Sequence, residues 1–174
     1  MSYRIQKVAV LGSGVMGTGI ACQLANIGMD VLLLDIVPFD ISDKDKNNTA
    51  VRNSIVNGAL KAAMKSKPAA LYTKGFASKI KTGNFDDDFE KISDADWIIE
   101  VVIERLDIKH QIFEKVENYK RADALVTSNT SSIPIHMLVE GRSEAFAKLF
   151  CGTHFFNPPR YMPCLLYTSP SPRD

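Results

Sequence analysis

From Lys7 to Gly12 the chain carries a short apolar run, Val8 to Leu11, closed by glycine. A strand with one wet face alternates apolar and polar residues. One that is apolar throughout is covered on both faces, as in a parallel sheet flanked by helices. From Val15 the period lengthens. Met16, Ile20, Ala21, Leu24 and Ile27 recur at steps of three and four, which makes one apolar helix face, and Gly28 follows as its stop. Val31 to Asp35 is a second buried strand. Strand, helix and strand together fill about thirty residues, the size of one βαβ unit.

The alternation continues. Val37 to Asn48 is mostly polar, contains Pro38 and reads as a loop. A helix is predicted over Thr49–Lys65, with Ile55, Val56, Ala59, Leu60, Ala63 and Met64 on one side and Lys61 and Lys65 away from it, before Pro68 ends the pattern. Asp94–Ile103 predicts a strand, Ile108–Tyr119 an amphipathic helix, Leu125–Asn129 a strand ending in polar residues, and Leu149–Phe155 one more. Strands alternating with helices predict an α/β fold with a mostly parallel, doubly wound sheet of Rossmann type. No internal repeat or heptad pattern interrupts it.

Composition narrows the class without naming a function. In 174 residues, 45% hydrophobic content is enough for a core, and one domain is expected. Lys and Arg number 21 against 20 acidic residues, a balance that argues against nucleic acid or an anionic membrane as partner. Cys22, Cys151 and Cys164 have no metal-ligand spacing, and no metal is expected. No apolar run approaches the roughly 20 residues of a membrane helix. A soluble cytoplasmic domain is the expectation.

Chemistry enters at Gly12-Ser13-Gly14-Val15-Met16-Gly17, which matches G-x-G-x-x-G. Its glycines allow a tight turn, the close approach of a pyrophosphate to backbone, and helix-on-strand packing, while the helix it opens aims free N–H groups at the phosphates. Glycine-rich turns are common, so the pattern alone is weak. Its place after a strand, before a helix and ahead of Asp35 at the end of the next strand makes it a dinucleotide fingerprint. Asp35 could be a solvated loop carboxylate or a helix cap. As a ligand it would accept hydrogen bonds from the adenosine ribose hydroxyls. Its charge would repel a 2′-phosphate, and no Arg follows in Ile36-Val37-Pro38, so NAD is expected over NADP.

Two later strands end in polar residues, Ser128-Asn129-Thr130-Ser131-Ser132 and His154-Phe155-Phe156-Asn157-Pro158-Pro159. Ligands of open α/β sheets collect at the carboxyl ends of strands, so both segments should face the reactive end of a dinucleotide. A lone histidine is usually structural, and Ser132 before Ile133-Pro134 could be a helix cap. Alcohol oxidation, however, needs a base of near-neutral pKa, and His154 suits that task. His110 and His136 read as ordinary surface or core residues.

The Gly12–Gly17 motif, Glu100-Val101-Val102-Ile103-Glu104-Arg105, Ser128–Ser132 and His154–Pro158, in this order, resemble the 3-hydroxyacyl-CoA dehydrogenase family over residues 1 to about 163. Within it, the likeness is to bacterial multifunctional fatty-oxidation proteins that also carry an enoyl-CoA hydratase region. The resemblance implies NAD-dependent oxidation of an (S)-3-hydroxyacyl-CoA to the 3-oxoacyl-CoA, with His154 as general base and Ser131 binding the substrate's 3-oxygen. It implies that Glu104, Lys109 and Asn157 contact NAD near the ribose and nicotinamide, and that the Thr49–Lys65 helix meets the acyl-CoA substrate, with Ser54 and Lys61 as contacts. Without the resemblance, Glu104 and Lys109 could be an exposed pair at a helix start, Asn157 a pre-proline turn residue, and Lys61 a solvated lysine. The family also pairs its histidine with a glutamate about a dozen residues later, on the same carboxylate–imidazole logic as hydrolase triads. Here that count reaches Leu166, and the ending Cys164 to Asp174 is expected to be a foreign, disordered tail. A helical C-terminal domain, through which the longer protein would form a homodimer, is expected to be missing. The chain itself would then bind NAD but be catalytically incomplete. A non-catalytic NAD-binding module and a related sugar-acid dehydrogenase are the competing readings.

Overall fold

In a computed structural model the chain is described over residues 4–162 and 164–168. The first apolar run forms strand β1 (Lys7–Leu11), buried from Val8 onward. Helix α1 (Val15–Asn26) and strand β2 (Asp30–Asp35) complete the first crossover. Helices α2 (Thr49–Arg52) and α3 (Ser54–Ala63) precede strand β3 (Ile80–Asn84). Strand β4 (Trp97–Glu100), helix α4 (Leu106–Tyr119) and strand β5 (Leu125–Ser128) follow. Two short helices, α5 (Ile135–Leu138) and α6 (Glu144–Lys148), lead to β6 (Phe150–Phe155) and β7 (Cys164–Tyr167).

The strands form one sheet in the order β3-β2-β1-β4-β5-β6-β7, parallel except where β7 meets β6. The order reverses between β1 and β4, which opens the crevice where such sheets bind ligands. Both faces are covered, as the apolar strands require. Ala9 and Leu11 of β1 join Ile112, Phe113, Val116, Phe146 and Phe150 on one face, while Val8 and Val10 join Ile20, Leu24, Val56 and Leu71 on the other. The doubly wound expectation is met.

Four details differ from the sequence pattern. The helix over Thr49–Lys65 divides at Asn53, whose backbone leaves helical geometry (φ −96°, ψ 13°) and whose buried carboxamide accepts from Asn84 Nδ2 at 2.7 Å. That bond to the neighbouring strand end competes with a continuous helix. Strand β3 escaped prediction because Ile80-Lys81-Thr82-Gly83-Asn84 offers a single long apolar side chain; the open edge of β2 orders it through main-chain pairing. Strand β4 stops at Glu100, short of Ile103, because the chain turns there into the loop before α4. The last difference corrects the expectation that Cys164–Asp174 is disordered. Cys164–Tyr167 pairs antiparallel with β6, from Phe155↔Cys164 to Gly152↔Tyr167. An extended apolar tetrapeptide beside unpaired strand donors and acceptors is drawn into the ladder whatever its origin. Residues 169–174 of the expected tail lie outside the described residues.

Phe113 is fully buried, edge-on to Phe146 and Phe150 at 6.0 and 5.1 Å. Phe113→Ala is expected to cost roughly 3–5 kcal/mol by chemical denaturation. Gly58 lies within α3 with open space where a Cβ would stand, so Gly58→Ala should stabilise by roughly 0.5–1 kcal/mol in the same measurement.

Candidate functional site

The glycine turn joins β1 to α1. Gly12 has φ +107°, and a Cβ there would stand 2.6 Å from the Val101 carbonyl oxygen. A Cβ at Gly17 would lie 1.8 Å from the Gly12 carbonyl oxygen, so the first turn of α1 rests directly on the turn's backbone. At Gly14 nothing approaches within 4 Å of a Cβ position, and no side chain caps α1. Its N-terminal amides are thus open to an anion, with Val15 exposed and Met16 half-buried beside them. A cradle of bare backbone around open space fits a dinucleotide pyrophosphate. A glycine that the sequence reading passed over also matters. Gly19 lets Pro159 pack on α1 with 3.1 Å to a Cβ position, which holds the segment after β6 against the turn. A further glycine two residues beyond the motif was its only signal.

Asp35 is at the carboxyl end of β2, facing this turn. One oxygen accepts from the Ser13 amide at 2.6 Å and from the Ser13 hydroxyl, and the other accepts from the Ile36 amide at 2.7 Å. It is neither a loose loop carboxylate nor a helix cap. Ser13, itself buried, holds it at the rim of the glycine turn.

Beyond β4 lies a buried charge cluster. Glu100 and Lys109 are 0% and 1% exposed. The Lys109 ammonium meets Glu100 Oε1 and Oε2 at 2.7 and 2.9 Å and Glu104 Oε2 at 3.1 Å. Three donors for three oxygens leave it saturated. Glu100 also accepts from the Ser128 hydroxyl and the Val102 amide. Burial pushes its carboxyl up, against the opposing pull of the Lys109 charge and those donors. Lys109 is therefore not one of an exposed pair, and Glu100 is a site residue that the sequence reading quoted without assigning. Its signal was a carboxylate inside an apolar strand.

The other Glu104 oxygen, Oε1, gathers the next loop. It accepts from the Thr130 hydroxyl, the Ser131 amide at 3.0 Å, the Ser132 amide at 3.2 Å and the Ser132 hydroxyl at 3.3 Å. Partial burial pushes Glu104 up, but the Thr130 hydrogen bond, the Lys109 charge and hydrogen bond, and the Ser131 amide outweigh it, and the carboxyl falls to about 2.

His154 is half-buried near the end of β6, edge-on to Phe156 at 4.8 Å. Its Nδ1 lies 3.1 Å from the Thr130 carbonyl oxygen. A carbonyl only accepts, so Nδ1 carries a proton, and in the neutral ring the lone pair is then on Nε2. That is the form a general base needs. The Tyr167 hydroxyl donates to the same carbonyl at 3.3 Å, which its two lone pairs permit. Leu165 stands opposite His154 and Leu166 opposite Thr153, with no acid at either position. Asn129 Oδ1 accepts from the Phe155 amide at 2.8 Å and joins the two strand ends.

A cavity of about 530 Å³ extends from Ser13, Gly14 and Val15 along the C-terminal half of α3 to Asn157–Tyr161. Arg160 ties its walls, donating to the Ala69 and Leu71 carbonyls at 2.7 and 3.1 Å and lying over the Tyr72 and Tyr161 rings. Asn157 lines this cavity beside the glycine turn. Ser54 and Lys61 are exposed on α3 and do not line it. His110 is half-buried against the Met137 carbonyl, and His136 is exposed. Among the described residues no His, Cys, Asp and Glu group could hold a metal, and no helix is long and apolar enough to cross a membrane.

The glycine turn, the acid on β2 and the crevice at the reversal of strand order define a dinucleotide-binding domain of Rossmann type. Residues 7–166 match the family described as "3-hydroxyacyl-CoA dehydrogenase, NAD binding domain", and the chain belongs to that family. It is 48% identical over 171 residues to a Bacillus subtilis protein named "Probable 3-hydroxyacyl-CoA dehydrogenase", covering 95% of this chain and 22% of that one. A Deinococcus radiodurans protein of the same name is 48% identical over 159 residues, covering 91% of this chain and 44% of the relative. The crystal structure of an (S)-3-hydroxybutyryl-CoA dehydrogenase from Ralstonia eutropha superposes with a TM-score of 0.68 at 28% identity, over 94% of this chain and 54% of that one. The chain thus spans between about a fifth and a half of the length of these relatives.

The clamp on Glu104 predicts its acid behaviour. With a folded value of about 2 against an ordinary 4.5, the carboxylate's contribution to stability is complete above 4.5 and is lost as pH falls through about 2. A carbon-detected NMR titration of the Glu104 side chain should give a midpoint near 2; a midpoint at the ordinary value would mean that Lys109 and the donors of the 130–132 loop are not engaged.

Proposed function

We propose that this domain binds NAD across the carboxyl edge of its sheet and, in a protein of its relatives' length, oxidises (S)-3-hydroxyacyl-CoA to 3-oxoacyl-CoA. The observation that carries the reading is a histidine whose Nδ1 is held by the Thr130 carbonyl, on the strand edge that also carries the glycine turn. The bound nicotinamide supplies the hydride acceptor. The α1 amides hold the pyrophosphate, the turn residues Gly12–Gly17 admit it, and Asp35 takes the ribose hydroxyls while repelling a 2′-phosphate. His154 Nε2 takes the hydroxyl proton as hydride leaves, and the Ser131 hydroxyl orients the oxygen. Asn157 and Glu104 are proposed on the nicotinamide side, and the exposed Ser54 and Lys61 of α3 as contacts of the CoA moiety. Asn157 is supported by its place in the cavity wall next to the turn.

On this reading residues 1–163 are the NAD-binding domain, and the residues after Pro163 stand where the family carries a strand with an acid. The longer protein would dimerise through its C-terminal portion and work in the cytoplasm. One observation favours a second reading, a domain that binds NAD without turnover. Leu166 occupies the place of the expected orienting acid.

Calorimetry on the chain should show NAD binding, weakened by about tenfold or more in Asp35→Ala, with NADP weaker by a similar factor. Absence of NAD binding by the folded chain would end the reading. With the C-terminal portion of the Bacillus subtilis relative joined after Pro163, NADH should be consumed with acetoacetyl-CoA. His154→Ala should then lower kcat by roughly 10²–10⁴; an unchanged kcat would remove His154 as the base.

A further inference from the structure

We infer that Glu104 is a positioning residue for His154, acting through the 130–132 loop, and that the buried Glu100–Lys109 pair exists to hold it in place. The inference rests on the proposed role of His154 as base, and its geometry runs through one continuous set of contacts. Glu100, rooted in β4 with no exposed surface, takes two of the three Lys109 donors. The third goes to Glu104 Oε2. With that oxygen pinned, Oε1 faces the loop after β5 and collects donors from Thr130, Ser131 and Ser132. The Thr130 hydroxyl that donates to Glu104 also accepts from the Ile133 amide at 3.0 Å, so the loop is closed on itself at the point where it is clamped. The product of the clamp is the direction of one carbonyl, that of Thr130, which receives His154 Nδ1–H.

The charge arithmetic explains why three ionised groups are needed where two would neutralise. A Lys109–Glu104 pair alone would compete with water, since the Glu104 side chain is 36% exposed. Anchoring Lys109 on a second, fully buried carboxylate fixes the ammonium before Glu104 is added, so Glu104 meets a preorganised cation. An imidazole held at one nitrogen by a backbone carbonyl is oriented only as well as that backbone is, and among the described residues no acidic side chain is hydrogen-bonded to the ring. The ring's orienting group in this chain is therefore main-chain, and the carboxylate that secures it acts from the far side of the loop.

The test is NMR on the full chain, reading Ser131 and Ser132 amide exchange together with the nitrogen shifts of the His154 ring. In Glu104→Gln, exchange at both serines should rise by at least about tenfold, and the His154 ring should lose its preference for the Nδ1–H tautomer. Thr130→Val, which keeps the buried pair and removes one clamped hydroxyl, should move both readouts in the same direction by a smaller factor, and it carries the test if Glu104→Gln does not fold. Unchanged exchange or an unchanged tautomer in a folded variant overturns the inference. A residue that merely stabilised the domain would lower its melting temperature without moving the tautomer. NAD affinity is measured alongside: a wild-type chain that shows no NAD binding would remove the dinucleotide reading, while the exchange and tautomer readouts would still decide the clamp.

Discussion

A lysine ammonium sealed beneath the carboxyl edge of the sheet is the constraint on which the rest of this edge depends. Removing an ammonium from water costs several kcal/mol, and the cost is recovered only where every proton finds an anionic or polar acceptor in good geometry. Lys109 meets that condition with oxygens of Glu100 and Glu104. Because Glu100 is on β4, Lys109 on α4 and Glu104 in the loop between them, satisfying one cation sets the path of the whole β4–α4 connection. Taking away either carboxylate would leave at least one of the ammonium's protons without its acceptor.

That connection and the glycine turn divide the edge into two halves. On the β1–β2 side almost everything is backbone: the Gly12 and Gly17 contacts, the open α1 amides and an aspartate held by Ser13. This suits a diphosphate, which is recognised by N–H groups and a helix dipole rather than by a particular side chain. On the β4–β6 side the same edge is built from side chains that lock one another, ending at a histidine whose Nδ1 is held by the Thr130 carbonyl. Pro159 against Gly19 and Arg160 across the 69–71 carbonyls fasten the two halves together along the cavity wall.

Much of this was legible in the chain alone. Apolar runs at 7–11, 31–35 and 125–128 predict buried strands because a two-sided sheet leaves no polar position to interrupt them, and the glycine spacing predicts the turn because no other residue tolerates its backbone contacts. Asp35 and His154 were singled out from position alone, and the structure places Asp35 at the end of β2 and His154 near the end of β6. Strand β3 and the small helices α5 and α6 were not predicted. Their residues carry weak local preference, and neighbouring edges and loops order them. Glu100 was read over because an acid in an apolar strand has no local meaning until its partner, nine residues on and one element away, is folded against it.

The sequence by itself determined the class of fold, the cofactor-binding turn and the family, because these rest on periodicity and on short runs whose backbone demands are local. Only the tertiary structure decided which charges meet. It turned Lys109 inward, made Glu104 a bridge between two loops, and placed the Thr130 carbonyl on the His154 ring. The reason is physical: a buried ion pair or a tautomer is set by which groups share a low-dielectric space, and residues far apart along the chain share it only after the sheet has closed around them.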